Sequence, residues 1–230
     1  EAYNFNALKT NDLLDCAVKT TIKKFIFFST VHVYKKNLMG FINENTPASN
    51  DHPYGTSNKA GEDFVINCQA KNEMECFILR LSNAFGAPLN INQNCWSLLI
   101  NNICRQIFED GKIVIHSDPN QFRNFVSIES INNIIYNFIT MNYIKSGIIY
   151  NVGSDNTLRI RQIAEYIKNK YHSTYEKKIN IDYTYQHKNE LKKNDIKFEY
   201  SIEKIKKTGF YKDYFDKEVT HLLNFCKDNF

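Results

Sequence analysis

The sequence predicts an α/β protein, and three observations carry that expectation. Amphipathic helical stretches alternate with short strands along the whole chain, which is the α/β signature. The first two strands are runs of large apolar residues, FIFF at 25–28 and CFILRLS at 76–82. Such runs read as strands buried on both faces, as in a parallel sheet. The chain also shows no internal repeat and no low-complexity linker.

The elements follow in order. Residues 5–19 place Leu8, Leu13, Leu14, Ala17 and Val18 near helical spacing, so they read as an amphipathic helix. FIFF then runs into Ser29, Thr30, Val31, His32, Val33 and Tyr34. Residues 35–53 hold Gly40, Pro47 and Pro53 among many Asn and Ser, and read as loop. From Tyr54 to Lys71 the spacing of Ala60, Phe64, Val65 and Cys68 is helical. The strand at 76–82 is followed by loop at 83–94, a helix at 96–109 and a strand at 112–116. Asp118, Pro119 and Asn120 make a turn, 125–128 is extended and 129–141 is helical. A strand at 147–153, a helix at 158–171, two short elements and a helix near 214–229 complete the chain.

Composition narrows the function. The 230 residues include only 8 glycines, and no two of them are spaced to write GxGxxG or GxxxxGK[ST]. These residues therefore carry no glycine-rich phosphate cradle. The net charge is +4. The late lysines 188, 192, 193, 197, 204, 206 and 207 are interleaved with Glu190, Asp195, Glu199 and Glu203. That mixture reads as a solvated face and argues against nucleic-acid binding. No apolar run approaches the ~18 residues of a membrane span, and no basic-then-apolar leader is present. The six cysteines form no CxxC pair and sit at no zinc-finger spacing from His. They are expected as free thiols in a reducing compartment, so the protein is expected in the cytoplasm with no metal site.

Three pieces of sequence carry chemistry. The hydroxyls of Ser29 and Thr30 close the first buried strand, and open α/β sheets place ligands at the carboxyl ends of their strands. Tyr54 opens a helix within HPYGTSNKAGED. Asn83 follows the next strand within LRLSNAFGAP. Each also has a plainer reading: a hydroxyl bonded to backbone, a tyrosine packing a helix start, and a turn asparagine.

At this point the chain resembles a family, the extended short-chain dehydrogenase/reductases that act as NAD-dependent nucleotide-sugar epimerases and dehydratases. FIFFSTVHVY resembles their STDEVYG segment, HPYGTSNKAGED their PYGxSKxxxE, and LRLSNAFG their RxxNxYG. GKIVIHSDPNQFRNFVSIES, GIIYNVGSDNTLRIRQIAEYI and IEKIKKTGFYKD match three later segments in the same order. The resemblance implies the C-terminal part of a Rossmann-like parallel sheet plus a smaller α/β substrate-binding domain. It divides the chain at about residue 90: 1–90 as the remainder of the NAD-binding domain, and 91–230 mainly as the nucleotide-sugar domain, with some segments returning to the sheet. It also implies a GxxGxxG unit of about 80–100 residues ahead of the first helix, on domain-size grounds.

The implied chemistry is hydride transfer between a sugar carbon and NAD or NADP. Carried over by motif, Thr30 is the hydroxyl that orients the substrate and Tyr54 is the acid–base. His32 stands where the dehydratase branch has a glutamate base, and Val31 stands where that branch has an acid, so epimerase-type chemistry is expected. Asn6, Ser29 and Tyr54 fall at cofactor positions, and Asn83 and Arg123 at substrate positions. A lysine expected four residues after the tyrosine is Asn58 here, and Lys59 lies about 140° round the helix from Tyr54. The alternative is a truncated or catalytically impaired relative that binds a nucleotide sugar or a protein partner without turnover. A homodimer is a further implication of the family.

A strand as apolar as FIFF, left at a sheet edge, is an aggregation hazard. The isolated chain is therefore expected to self-associate or to be poorly soluble, which sedimentation velocity measures. A monodisperse monomer that melts cooperatively would count against that expectation.

Overall fold

The computed structural model describes residues 1–35, 38–71, 74–141, 148–185 and 197–230. A π-helical turn at Asn4–Leu8 enters α1 (Lys9–Val18). Then come β1 (Lys24–Thr30), a 3-10 turn (Val31–Val33), β2 (Gly40–Ile42), α2 (Pro53–Lys71), β3 (Glu75–Leu81) and β4 (Asn83–Phe85). They are followed by α3 (Leu99–Glu109), β5 (Ile113–Ile115), β6 (Phe122–Ser127), α4 (Ile128–Thr140), β7 (Ile149–Val152) and β8 (Thr157–Arg159). The rest are α5 (Ile160–Tyr175), β9 (Ile181–Tyr183), β10 (Phe198–Tyr200), α6 (Glu203–Lys206) and α7 (Phe215–Asn229). Gly147, expected to open a strand, and the central part of the late charged face (Lys188, Glu190, Lys192, Lys193, Asp195) lie outside the described residues. Among the described residues no helix is long and apolar enough to cross a membrane.

The chain forms two compact units. The first comprises residues 1–82, 133–155 and 198–211. Its sheet is fully parallel in the order β1–β3–β7, with Phe27 opposite Ile78 and Thr30 opposite Leu81. Cys76 and Ile78 face Leu14 and Ala17 of α1 and Val65 of α2. On the other face Phe77 stacks on Phe138 of α4 at 4.4 Å, and Phe138 also meets Tyr150 of β7. A second parallel pair, β2 with β10, belongs to the same unit.

Two expectations need correction. FIFF is not buried on both faces: Phe28 is 49% exposed. The register pairs Ile26 with Phe77 and Phe28 with Leu79, so Phe28 shares the face that Phe138 covers. β1 is the edge of the described sheet, and that cover lies over β3 and β7. Residues 35–53 and 83–94 are not all loop, because they contain β2 and β4. Each is only three residues long and made by pairing with a distant strand, which local periodicity cannot show.

The second unit comprises residues 83–132, 156–197 and 212–230. Its strands are β4–β6–β8, parallel then antiparallel, and the parallel pair β5–β9. Ile100, Ile103, Cys104 and Ile107 of α3 follow i, i+3, i+4, i+7 spacing and bury against Ile163 and Ile167 of α5 and Leu222 and Leu223 of α7. Each such aliphatic side chain contributes roughly 1.5–3 kcal/mol on burial.

The first unit is pinned by a buried ion pair. Arg80 of β3 grips Glu62 of α2 through two hydrogen bonds, Nε to Oε1 at 2.8 Å and Nη2 to Oε2 at 2.6 Å. The two side chains are 3% and 0% exposed. Ser29 donates to Glu62 Oε1 at 2.6 Å, and Arg80 Nη1 donates to the Tyr34 hydroxyl at 2.9 Å. Tyr34 passes its own proton donor to Asn151 of β7 at 2.6 Å. Tyr200 of β10 donates to the Arg80 carbonyl at 2.7 Å. Burial works against the Arg80 charge, but Glu62 and then Tyr34 outweigh it and hold the guanidinium pKa above its ordinary value. Burial pushes the Tyr34 phenol up to about 12, against the opposing pull of Arg80.

Two outcomes follow. Glu62→Gln leaves a buried guanidinium without its counter-charge and is expected to cost about 3–5 kcal/mol in urea unfolding. The raised Tyr34 pKa means that, above pH 10, the unfolded chain loses this proton first. The associated stability, on the order of 2–3 kcal/mol for a shift of about two units, is fully present below pH 10 and lost as pH rises toward 12. Tyr34→Phe should flatten that part of the alkaline stability profile.

Candidate functional site

In the first unit the site forms where β1 ends. Thr30 is the last residue of the strand and is 7% exposed. Its Oγ1 accepts the His32 N–H at 3.2 Å and so caps the 3-10 turn. The hydroxyl keeps its own proton to donate. The His32 carbonyl accepts the Asn50 amide at 2.6 Å. At Gly55 a Cβ would stand 2.4 Å from that same carbonyl. Only glycine lets the first turn of α2 press this closely on the strand end.

That approach delivers Tyr54. Its N–H is capped by His52 Nδ1 at 3.2 Å, and its ring is 46% exposed. The Tyr54 ring meets the His32 imidazole edge-on, with centroids 6.0 Å apart and an interplanar angle of 62°. The half-exposed Tyr54 ring is thus brought to the turn in which His32 bonds the buried Thr30 hydroxyl. Buried Val31, 3% exposed, occupies the turn between them.

The other first-unit candidates lie deeper. The Ser29 hydroxyl is spent on Glu62, at 4% exposure. Asn6 donates its amide to Ser57 Oγ at 3.0 Å, and Ser57 donates to the Tyr54 carbonyl at 3.1 Å. A Cβ on Gly61 would be 2.6 Å from the Asn6 carbonyl, so the two helical segments touch backbone to backbone. Asn6 therefore braces the start of α2 through Ser57. Asn58 is buried at 5% and donates its amide to the Tyr54 carbonyl at 2.8 Å. Lys59 pairs with Asp63 along the outer side of α2.

In the second unit, Asn83 opens β4 and donates to the Asn124 carbonyl at 2.7 Å. Arg123 on β6 is half-buried and donates to Gln121 Oε1 at 2.9 Å. Burial lowers its pKa from the ordinary guanidinium value. Among the described residues no carboxylate pairs with it. Asn83 and Arg123 line one small cavity of about 70 Å³ with Phe85, Leu98 and Phe125. Trp96 packs against Phe225 and Phe230 of the same unit. Among the described residues no group of three His, Cys, Asp or Glu is placed to hold a metal ion.

Sequence reasoning missed the Glu62–Arg80 pair. Both were in plain view, Glu62 as the last residue of the segment matching PYGxSKxxxE and Arg80 as the first of RxxN. A charged residue on the inner side of an otherwise apolar strand was the available signal.

The chain is similar to several known proteins. Human dTDP-D-glucose 4,6-dehydratase is 28% identical over 212 residues, which is 89% of this chain and 56% of that protein. A putative UDP-glucose 4-epimerase of Methanocaldococcus jannaschii is 26% identical over 166 residues, 72% of this chain and 52% of that one. The chain thus spans about half the length of the curated relatives it matches. Among solved structures, UDP-N-acetylglucosamine 4-epimerase from Methanobrevibacter ruminantium superposes with a TM-score of 0.80 at 20% identity, covering 99% of this chain and 70% of that one. UDP-glucuronic acid 4-epimerase from Bacillus cereus, in complex with NAD, gives 0.76 at 18% identity, covering 98% and 66%. These likenesses establish the Rossmann-like α/β fold. With residues 1–153 matching the model of the NAD dependent epimerase/dehydratase family, the chain belongs to that family.

Proposed function

We propose that this protein carries out the oxidoreductive chemistry of an NAD(P)-dependent nucleotide-sugar epimerase, with Tyr54 as acid–base and Thr30 as the orienting hydroxyl. The observation that supports this most is the ring contact of Tyr54 with His32, whose N–H bonds the Thr30 hydroxyl at the carboxyl end of a parallel strand, where open α/β sheets bind ligands. Tyr54 is exposed enough to reach a substrate hydroxyl and take its proton. Thr30, fixed by accepting the His32 N–H, directs its remaining O–H at the substrate oxygen. Epimerase-type chemistry is favoured over dehydration because the turn residue beside His32 is the buried, apolar Val31.

A nicotinamide cofactor, when bound, supplies the hydride acceptor. The residues present fit its reactive end: a hydroxyl and a half-exposed phenol at a parallel strand terminus. None of the 8 glycines in these 230 residues forms a phosphate loop for its pyrophosphate. The Ser29 hydroxyl and the Asn6 amide are given to Glu62 and Ser57. In the second unit, Arg123 supplies an underpaired guanidinium suited to the diphosphate of a nucleotide sugar, and Asn83 shares its cavity.

The test is NAD(P)H formation and sugar NMR with UDP- and dTDP-hexoses. Tyr54→Phe and Thr30→Val should each lower turnover by about 10²–10⁴-fold. Unchanged turnover in Tyr54→Phe would overturn the reading. Asn58→Lys places a cation on the Tyr54 side of α2 and should raise turnover about tenfold or more. No turnover before or after that change would favour the impaired relative that binds without reacting. Separately, Arg123→Ala should weaken UDP binding about 10–100-fold by calorimetry, as expected for a lost charge-assisted hydrogen bond.

A further inference from the structure

We propose that Glu218 is a positioning residue for ligand binding: its carboxylate ties together the chain segments that leave β4 and β6, and so holds one wall of a cavity in the second unit. Which ligand the cavity serves rests on the nucleotide-sugar reading above.

Glu218 lies in the first turn of α7 and is buried, at 4% exposure. Its Oε1 accepts the Ala87 N–H at 3.1 Å, and its Oε2 accepts the Glu129 N–H at 3.2 Å. β4 and β6 are parallel neighbours whose last paired residues are Phe85 and Ser127. Ala87 and Glu129 each follow that last pair by two residues. One carboxylate therefore bridges the two strands just beyond the point where their own pairing stops.

The segment after β4 is clamped from a second side. Asn101 of α3, fully buried, donates to the Gly86 carbonyl at 2.8 Å and accepts the Gly86 N–H at 3.3 Å. A Cβ on Gly86 would stand 2.8 Å from both Glu218 Oε1 and the Ile128 side chain, so glycine is what admits the carboxylate here. Gly86, Ala87, Pro88, Asn101 and Ile128 line a cavity of about 290 Å³. Phe85 and Leu98 line this cavity and also the smaller one that holds Asn83 and Arg123.

Stability alone does not call for an acid at this place. A buried carboxylate gives up its hydration. Among the described residues its ion-pair contact is with the exposed His221, Nδ1 to Oε1 at 3.8 Å, and neighbouring Lys217 is paired with Glu129 instead. The charge is met by backbone N–H groups, one of them in the first turn of α4, where the helix end is positive. An apolar side chain of similar length would avoid the desolvation. It would also leave the Ala87 and Glu129 N–H groups unpaired and the two segments untied. Two oxygens on one rigid carboxylate supply the direction that packing lacks.

Glu218→Gln tests this, because it keeps the size and turns an NH2 donor toward one of the two N–H groups. By hydrogen exchange on the free chain, the Ala87 and Glu129 amides should exchange about tenfold faster or more than in wild type. By calorimetry the variant should bind UDP about tenfold more weakly, at a temperature where circular dichroism shows both proteins folded. With a UDP-hexose, KM should rise by the same factor while kcat stays within about twofold. A lower melting temperature with unchanged UDP affinity and KM is the signature of a purely structural role and overturns the proposal, as does unchanged exchange at the two amides. Should the Gln variant not fold, Gly86→Ala makes the same test with the charge kept, since its methyl displaces the carboxylate; unchanged UDP affinity there also overturns it. A wild-type chain that binds neither UDP nor dTDP sinks the nucleotide-sugar reading, while exchange at Ala87 and Glu129 still decides whether Glu218 holds the wall.

Discussion

The Arg80–Glu62 pair sets the geometry on which the first unit depends. One guanidinium and one carboxylate, both out of water, connect β3 to α2. Through Ser29 and Tyr34 they also hold β1 and the turn that follows it. Asn151 and Tyr200 extend the network to β7 and β10. An ion pair of this kind loses several kcal/mol per ion to desolvation, so apolar packing could match it for raw stability. What apolar packing does not supply is direction. Glu62 lies eight residues beyond Tyr54, about 12 Å along the helix axis. Fixing its carboxylate against the two-pronged guanidinium fixes the rotation and slide of α2, and with them where Tyr54 stands relative to Thr30.

That constraint explains why the strand end is crowded with small or capped groups. Gly55 and Gly61 are both places where a methyl group would collide with backbone, at 2.4 Å and 2.6 Å. They admit α2 against the His32 carbonyl at one point and against the Asn6 carbonyl at the other. Asn50, Ser57 and Asn58 then satisfy the carbonyls and hydroxyls exposed by such close packing. Unpaired, each would carry a desolvation cost of about 1–3 kcal/mol.

Much of this was legible in the sequence, and the parts that were not have physical causes. The helix with strong periodicity, α3, stands where its spacing puts it. β2 and β4 did not show because a three-residue strand owes its existence to a partner far along the chain. FIFF reads as doubly buried because burial depends on what covers a strand, and Phe28 sits where α4 does not reach. The placing of Thr30 at a strand end and of Tyr54 at a helix start was legible through motif order. The Ser29 hydroxyl, one residue away, faces the interior, because successive strand residues point to opposite faces. Its bond to Glu62 needed the helix register, which no single-strand pattern contains.

Asn58 shows how one position connects fold and chemistry. It is 5% exposed, and its amide joins the Ser57 hydroxyl in donating to the Tyr54 carbonyl. A neutral amide at that depth avoids the desolvation that a buried ammonium would meet. The same choice withdraws a cation from the phenol. In water a phenol near pKa 10 is only about 0.1% ionised at pH 7, so a tyrosine without a cation beside it must pass its proton on as it accepts another.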